Sequence, residues 1–166
     1  MRPFWIETGN ALRLAIVPRP RGGDWLDDEM LLTKRAEVDV LVSMLPAEEA
    51  TELGLADEAG ACHRAGVAYL SFPIPDRETP ASTSSFTAFV NQLRRELHAG
   101  RSVAVHCRAS IGRSSLLLAA VLCGEGFTPQ DAFQRLSAAR GVQVPDTPEQ
   151  VHWVEQYAKS ISGLIR

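Results

Sequence analysis

The sequence predicts an α/β fold: a central, mainly parallel sheet with helices packed on both sides. Three observations carry that expectation. Val38 to Met44, Val67 to Phe72 and Val103 to Val105 are short β-rich runs without clean polar alternation, the pattern of strands covered on both faces. Between them lie stretches with apolar residues at helical spacing. One helix, Ser114 to Cys123, is apolar all round and belongs at the centre. At 166 residues, with 45% hydrophobic and 22% charged, the chain suits one domain around a single core, with an opening hairpin in residues 1–20 and the body of the domain in 21–166.

Phe4-Trp5-Ile6 and Leu12 to Val17, with Gly9-Asn10 between them, read as that hairpin, ended by Pro18 and Pro20. Asp24 is placed to cap a helix running to about Glu37. Its first turn holds Asp27, Asp28 and Glu29 and its last holds Lys34 and Arg35, the order the helix dipole favours. Two short helices, over 46–53 and 56–65, each close at a glycine, Gly54 and Gly66. From Ser84 to Ala99, Phe86, Phe89, Val90, Leu93 and Leu97 mark the apolar side of a helix, leaving Arg94 and Arg95 on a solvated face. Thr128-Pro129 and Thr147-Pro148 are helix starts, each a hydroxyl cap followed by a proline in the first turn. The last helix is expected to bury Val151, Val154, Tyr157 and Ile161.

Charge and composition exclude several function classes. A net charge of −3 gives no general attraction to nucleic acid or anionic membrane, so neither partner is expected and any anion must be held by a local site. No run approaches the roughly 18 apolar residues of a membrane span, and no long apolar core follows Arg2. Cysteines at 62, 107 and 123 form no disulfide framework and no C-x-x-C pair, which fits a reducing cytoplasm. Histidines 63, 98, 106 and 152 are not clustered at zinc-like spacings, so no metal or other cofactor is implied. A soluble cytoplasmic monomer is the expectation.

The chemistry concentrates in His106-Cys107-Arg108-Ala109-Ser110-Ile111-Gly112-Arg113-Ser114, which joins the Val103 strand to the central helix. A loop that wraps onto a helix start turns backbone N–H groups inward and adds the positive end of the helix dipole, making an anion site from Arg108, Ala109, Ser110, Ile111 and Gly112. Arg113 stands at the mouth of the helix, where its planar guanidinium can bind two phosphate oxygens at once and a lysine cannot. The same field favours the thiolate form of Cys107, the form that acts as a nucleophile.

This run resembles the phosphate-binding loop of the cysteine-dependent protein tyrosine phosphatases, H-C-x5-R-[S/T], within a strand-loop-helix context. It is most similar to the compact dual-specificity branch that includes kinase-associated phosphatases and bacterial relatives, over nearly the whole chain. One departure stands out: many such loops carry Ala-Gly-x-Gly before the arginine, and here the first glycine is Ser110, a residue that adopts left-handed backbone angles less cheaply. The resemblance implies phosphomonoester hydrolysis through a cysteinyl phosphate, with a phosphorylated protein as substrate. It also implies an aspartate some thirty residues upstream as the acid that protonates the leaving oxygen. Asp76 lies 31 residues before Cys107 in Phe72-Pro73-Ile74-Pro75-Asp76-Arg77, where two prolines stiffen the loop. Glu78 is the second candidate acid.

Three further residues carry double readings. Ser114 either donates a hydrogen bond to the departing sulfur or caps the helix. His106 either tunes the loop from behind or is a satisfied core histidine. Gln150 corresponds in region to a glutamine that places the hydrolytic water in some tyrosine phosphatases, but it also completes a Thr-x-x-Gln capping box, the reading preferred here. Rival functions are a phosphatase of phosphoinositides or other small phosphoesters, a rhodanese-like sulfurtransferase and an inactive phosphoprotein-binding module. Ile111 stands where lipid-directed relatives often carry lysine, which favours phosphoprotein. An exposed thiolate is also prone to oxidation, with Cys62 or Cys123 as candidate resolving thiols.

Overall fold

The computed structural model describes residues 1–163. Among these it forms five strands and seven α-helices. Strands β1 (Phe4–Trp5), β2 (Leu14–Ile16), β3 (Val40–Ser43), β4 (Ala68–Ser71) and β5 (Val103–His106) make one sheet in the order β1-β2-β5-β3-β4. Only β1 runs antiparallel to its neighbour. The sheet is mixed but mainly parallel, as the sequence predicts.

Alternation along the strands divides the core in two. Leu14, Ile16, Val40, Val42, Val103 and Val105 point to one face, where they meet α4 (Thr83–His98), α5 (Arg113–Gly124), α6 (Pro129–Arg140) and α7 (Pro148–Ser162). Ala15, Val17, Leu41 and Ala104 point to the other, against Leu26 and Met30 of α1 (Leu26–Arg35), Leu55, and Ala61 and Cys62 of α3 (Glu58–Ala65). Leu116 to Cys123 of α5 are all buried, as expected for a helix enclosed by its neighbours. Gly54 and Gly66 take left-handed φ values of 72° and 73°, ending α2 (Ala47–Glu52) and α3.

Four details depart from expectation. Asp24 does not cap α1: a 3-10 turn over Gly23–Trp25 precedes the helix, whose N-cap is Trp25 without a side-chain bond. The earlier turn is set by Gly23, at φ 61° with its N–H on the Gly54 carbonyl. Arg94 is not simply solvated, because its Nε donates to Glu125 at 2.7 Å and its side chain lies over Gly124. In α7, Val154 and Tyr157 are buried while Val151 and Ile161 are only half-buried, packed against the core's edge. Phe89 likewise is half-buried, with its ring 5.2 Å from Phe72.

Parallel strands send their carboxyl ends to one edge, so the segments after β2, β3, β4 and β5 converge there. Their register is set at the opposite end by a partly buried exchange. Ser102 N–H donates to Asp39 Oδ2, Asp39 N–H donates to Ser102 Oγ, both at 2.9 Å, and the Ser102 hydroxyl donates to the Glu37 carbonyl. The Ser102 N–H is the main cause that holds the Asp39 carboxyl below its ordinary value of 3.8. A carboxylate lowered on folding contributes stability above that value and loses it as pH falls through the lowered one. Ser102→Ala is expected to cost about 1–3 kcal/mol, read as a lower urea midpoint at pH 7, because it orphans the Glu37 carbonyl and the Asp39 N–H. The Ser102 N–H that does most to lower Asp39 survives this substitution and the orphaned groups do not titrate, so most of the difference from the native protein should persist at pH 3.

Candidate active site

Cys107 follows β5 directly and Arg113 opens α5, so the strand and the helix fix the two ends of the intervening loop. Its N–H groups from Arg108 to Gly112 have no acceptor among the described residues. The loop is instead held by its carbonyls and by one hydroxyl. Arg140, the last residue of α6, donates from Nε to the Ser110 carbonyl at 3.1 Å and from Nη2 to the Ala109 carbonyl at 3.3 Å, with its guanidinium over the Phe4 ring. In a trans peptide the C=O and N–H point opposite ways, so carbonyls tied outward turn the following N–H groups inward. Ser110 adopts φ 54°, the left-handed region its missing glycine would enter freely. That angle costs about 1 kcal/mol or more, and the buried Ser110 Oγ offsets it by donating to the Val17 carbonyl at 2.6 Å. The departure at 110 therefore ties the loop to β2 rather than deforming it.

Arg113 is 1% exposed and almost fully engaged. Nη1 and Nη2 donate to the two carboxylate oxygens of Glu49 at 2.8 and 2.9 Å, the end-on bidentate geometry. Nη1 also donates to the Ile74 carbonyl at 2.9 Å and Nη2 to Asp76 Oδ1 at 3.0 Å. The Nε–H has no acceptor among the described residues. Burial works against the Arg113 charge, but the Glu49 hydrogen bonds and the charges of Cys107, Glu49 and Asp76 outweigh it, so the guanidinium is held more firmly protonated than usual. In return, Arg113's hydrogen bond keeps the Glu49 carboxyl below its ordinary range despite burial.

The acid loop reaches this point by defined steps. Phe72 N–H donates to the Ser43 carbonyl and Ile74 N–H to the Met44 carbonyl, extending the β3–β4 pairing. The Phe72 ring packs 5.5 Å from Phe86, and Ile74 is 1% exposed. Pro73 and Pro75 stiffen the segment between these anchors, so Asp76 lands beside Arg113 with its own side chain 58% exposed. Glu78, the second candidate acid, is exposed and shows its carbonyl to Gln150 Nε2 at 3.3 Å.

Gln150 closes the site from α7. Its Oε1 accepts from the N–H groups of Asp146 and Thr147, and its own N–H donates to Thr147 Oγ1, so the capping box is formed. The same side chain packs on the loop: a Cβ at Gly112 would lie 3.0 Å from both Gln150 side-chain polar atoms and 2.9 Å from Asp146 Cβ. Gly112→Ala is therefore expected to force α7 off the loop, costing about 1–3 kcal/mol by overpacking. Thermal unfolding and phosphate release should both register it. Ser114 Oγ is buried without a hydrogen-bond partner among the described residues. His106 is fully buried, against the Cys107 carbonyl and Glu58.

The structure thus brings Cys107, Arg113, Asp76, Ser114, His106 and Gln150 to one strand edge. Sequence reasoning missed Glu49, Glu58 and Arg140, whose partners are 64, 48 and 30 residues away along the chain. The only local signal for Glu49 is a second acid beside Glu48 in a helix's first turn, which reads equally as dipole compensation. Neither candidate resolving thiol suits that role. Cys123 sits at the far end of α5, about 15 Å along the axis from Arg113, whereas a disulfide needs Cα atoms within about 7 Å. Cys62 lies in the core on the opposite sheet face, its sulfur 3.2 Å from that of Met30. Burial pushes the two thiols up to about 11 and, with Glu58's charge, about 12. A groove of about 640 Å³ between α4 and α7, lined by Thr79, Thr83, His152, Trp153 and Tyr157 among others, includes no residue of the 107–113 loop, so chemistry rather than volume locates the site.

Comparisons with known proteins agree with this geometry. The family model Tc-R-P, a polymorphic toxin system DSP-PTPase phosphatase, matches residues 19–126, from α1 through α5. The rat (Rattus norvegicus) cyclin-dependent kinase inhibitor 3 is 26% identical over 102 residues, covering 60% of this chain and 48% of the rat protein; the chain spans about half the length of the curated relative it matches. Among solved structures, kinase-associated phosphatase with serine in place of its catalytic-site cysteine superposes with a TM-score of 0.88 at 17% identity, covering 98% of this chain and 96% of the other. Tk-PTP in its active form gives a TM-score of 0.78 at 22% identity, covering 96% and 99%. These likenesses establish the fold, and the family match extends over well over half the chain. The chain belongs to the DSP-PTPase phosphatase family of polymorphic toxin systems.

Proposed function

We propose that the protein hydrolyses phosphomonoesters on phosphoproteins, phosphotyrosine as well as phosphoserine or phosphothreonine, through a cysteinyl phosphate. The observation that carries this reading is the state of Arg113. Glu49 and Ile74 occupy its end-on and inner donors, leaving Nε–H free and Nη2–H on the exposed Asp76. These are the two parallel donors that span a pair of phosphate oxygens. An incoming phosphate takes both and displaces Asp76 from the arginine, which moves the carboxyl toward the leaving oxygen.

Cys107 then attacks phosphorus while the N–H groups of Arg108 to Gly112 and the Arg113 guanidinium hold the equatorial oxygens. Asp76 gives its proton to the departing alkoxide or phenoxide and, in the second step, takes one from the attacking water. The Ser114 hydroxyl, buried without a partner, donates to the sulfur as the S–P bond breaks. Gln150, its amide already engaged by Asp146, Thr147 and Glu78, braces the acid loop against Gly112. The kinase-linked names of two relatives, cyclin-dependent kinase inhibitor 3 and kinase-associated phosphatase, favour a protein substrate. So does the loop, whose one charged residue, Arg108, stands 3.7 and 3.6 Å from Glu49 and Glu52. Three free cysteines suit work in a reducing cytoplasm. No helix among the described residues is long and apolar enough to cross a membrane.

The test is metal-free phosphate release from matched phosphotyrosine and phosphothreonine peptides and a phosphoinositide, comparing the native protein with Asp76→Ala. Turnover of the peptides is expected, reduced about 10²- to 10⁴-fold by the substitution. The loss should be much smaller for an aryl phosphate whose leaving group needs no proton. Lipid turnover alone would move the substrate class. Peptide binding without release would mark a binding module, and cyanide-dependent thiosulfate turnover a sulfurtransferase.

A further inference from the structure

His106 and Glu58 form a buried pair with no part in the mechanism above. Their side chains are 0% and 1% exposed, with His106 Nε2 2.6 Å from Glu58 Oε1. The other ring nitrogen, Nδ1, lies 3.2 Å from the Cys107 carbonyl oxygen. Both nitrogens face oxygen, and a carbonyl can only accept, so Nδ1 carries a proton. A proton also lies between Nε2 and Oε1, since two bare lone pairs would not meet at 2.6 Å. Glu58 Oε2 is buried without a hydrogen-bond partner among the described residues, so Glu58's polar engagement is this one contact. The other titratable groups near Glu58 are Cys62 on its own helix and Tyr69 on β4. Burial and Glu58's charge hold both in their protonated forms, which leaves His106 as its proton partner.

The geometry of the peptide plane gives this contact a consequence. The Cys107 carbonyl is tied back to His106, so the Arg108 N–H of the same trans peptide points the other way, into the loop. Arg140, through the Ala109 and Ser110 carbonyls, does the same for the N–H groups of Ser110 and Ile111. If the imidazole carried its proton on Nε2 instead, a bare Nδ1 lone pair would face the carbonyl and the tie would be lost.

We propose that Glu58 is a positioning residue for the Cys107 nucleophile: it holds the His106 ring through Nε2, the ring's Nδ1–H fixes the Cys107 carbonyl, and that carbonyl aims the first N–H of the anion loop. The proposal rests on the phosphatase reading for its catalytic consequence but not for the geometry at the sulfur. The full chain is compared with Glu58→Leu and Glu58→Gln in two assays, the rate of Cys107 alkylation by iodoacetamide and the kcat and KM of phosphopeptide hydrolysis. Leucine removes one partner of a buried pair and leaves Nε2 without one, a destabilising change, so both assays are read on protein shown to be folded by circular dichroism. Leucine is expected to slow alkylation about tenfold and to lower kcat about 10- to 100-fold with little change in KM, the scale of losing a carboxylate that orients a functional histidine. Glutamine can still hydrogen-bond Nε2 and keep the ring in place, so it should recover most of both rates.

His106→Asn supplies the second comparison, since its amide can reach the Cys107 carbonyl without a ring to orient. In that background Glu58→Leu should have no further effect on alkylation. A folded Glu58→Leu protein with native alkylation and kcat overturns the proposal. So does an equal additional loss in the His106→Asn background, a comparison that stays available if the single leucine variant does not fold. Should the native protein release no phosphate while Glu58→Leu still slows alkylation, the phosphatase reading fails and the positioning role stands.

Discussion

Replacing Cys107 with serine is expected to lower phosphate release by on the order of 10⁵-fold or more while phosphopeptide binding persists. Serine keeps the size of the side chain but holds its proton at neutral pH, so the attacking group is lost unless a base stands next to it. None does. Both ring nitrogens of His106 are committed, to Glu58 and to the backbone carbonyl of residue 107, and Asp76, once the phosphate displaces it from Arg113, faces the leaving oxygen on the far side of phosphorus. The loop N–H groups and Arg113 are unchanged, so affinity for the phosphate should hold. Single-turnover phosphate release and calorimetric titration with a phosphotyrosine peptide measure the two effects. A serine variant that turns over at the native rate would show that phosphorus is attacked by another group.

What was legible in the sequence and what was not follow from the range of the interactions. Strands, helices and caps are short-range: the Thr147 capping box closes over four residues and was readable as a pattern. The 107–113 loop was readable because strand, loop and helix are consecutive, and Asp76 because its prolines and its spacing from Cys107 coincide. Glu49 and Arg140 were not, because the contacts that give them meaning are made only after the parallel strands bring their carboxyl ends together. Ser110 is the intermediate case. Its identity signalled a departure, but the left-handed angle and the bond to Val17, 93 residues away, decide what the departure does. Asp24 failed as a cap for a local reason of the opposite kind, since Gly23 begins a tighter turn one step too soon.

Substitution of Arg113 is expected to separate catalysis from stability. Arg113→Lys keeps a positive charge but cannot supply parallel Nε and Nη2 donors, so phosphate release should fall about 10²- to 10³-fold, the loss seen when one preorganised donor to a developing charge is removed. Arg113→Met goes further and leaves the Glu49 carboxylate, 12% exposed, without its bidentate partner. Breaking a fully buried pair costs about 3–5 kcal/mol, and the partial exposure of Glu49, with Arg108 3.7 Å away, should reduce this to about 2–3 kcal/mol. The sign with pH follows from Glu49, whose carboxyl Arg113 keeps below its ordinary value of 4.5. The pair's contribution is therefore present above that value and lost as pH falls through the lowered one, so the deficit of Arg113→Met should be largest near neutrality and narrow in acid. Adding Glu49→Gln removes the stranded charge and should return most of the stability with none of the activity, a non-additive result expected of two residues acting as one unit. Urea midpoints at pH 7 and pH 3.5 for the native protein, Arg113→Met, Glu49→Gln and the double variant complete the cycle. Additive losses would mean that Glu49 does not hold the arginine, and full activity in Arg113→Lys would remove the bidentate phosphate contact from the mechanism.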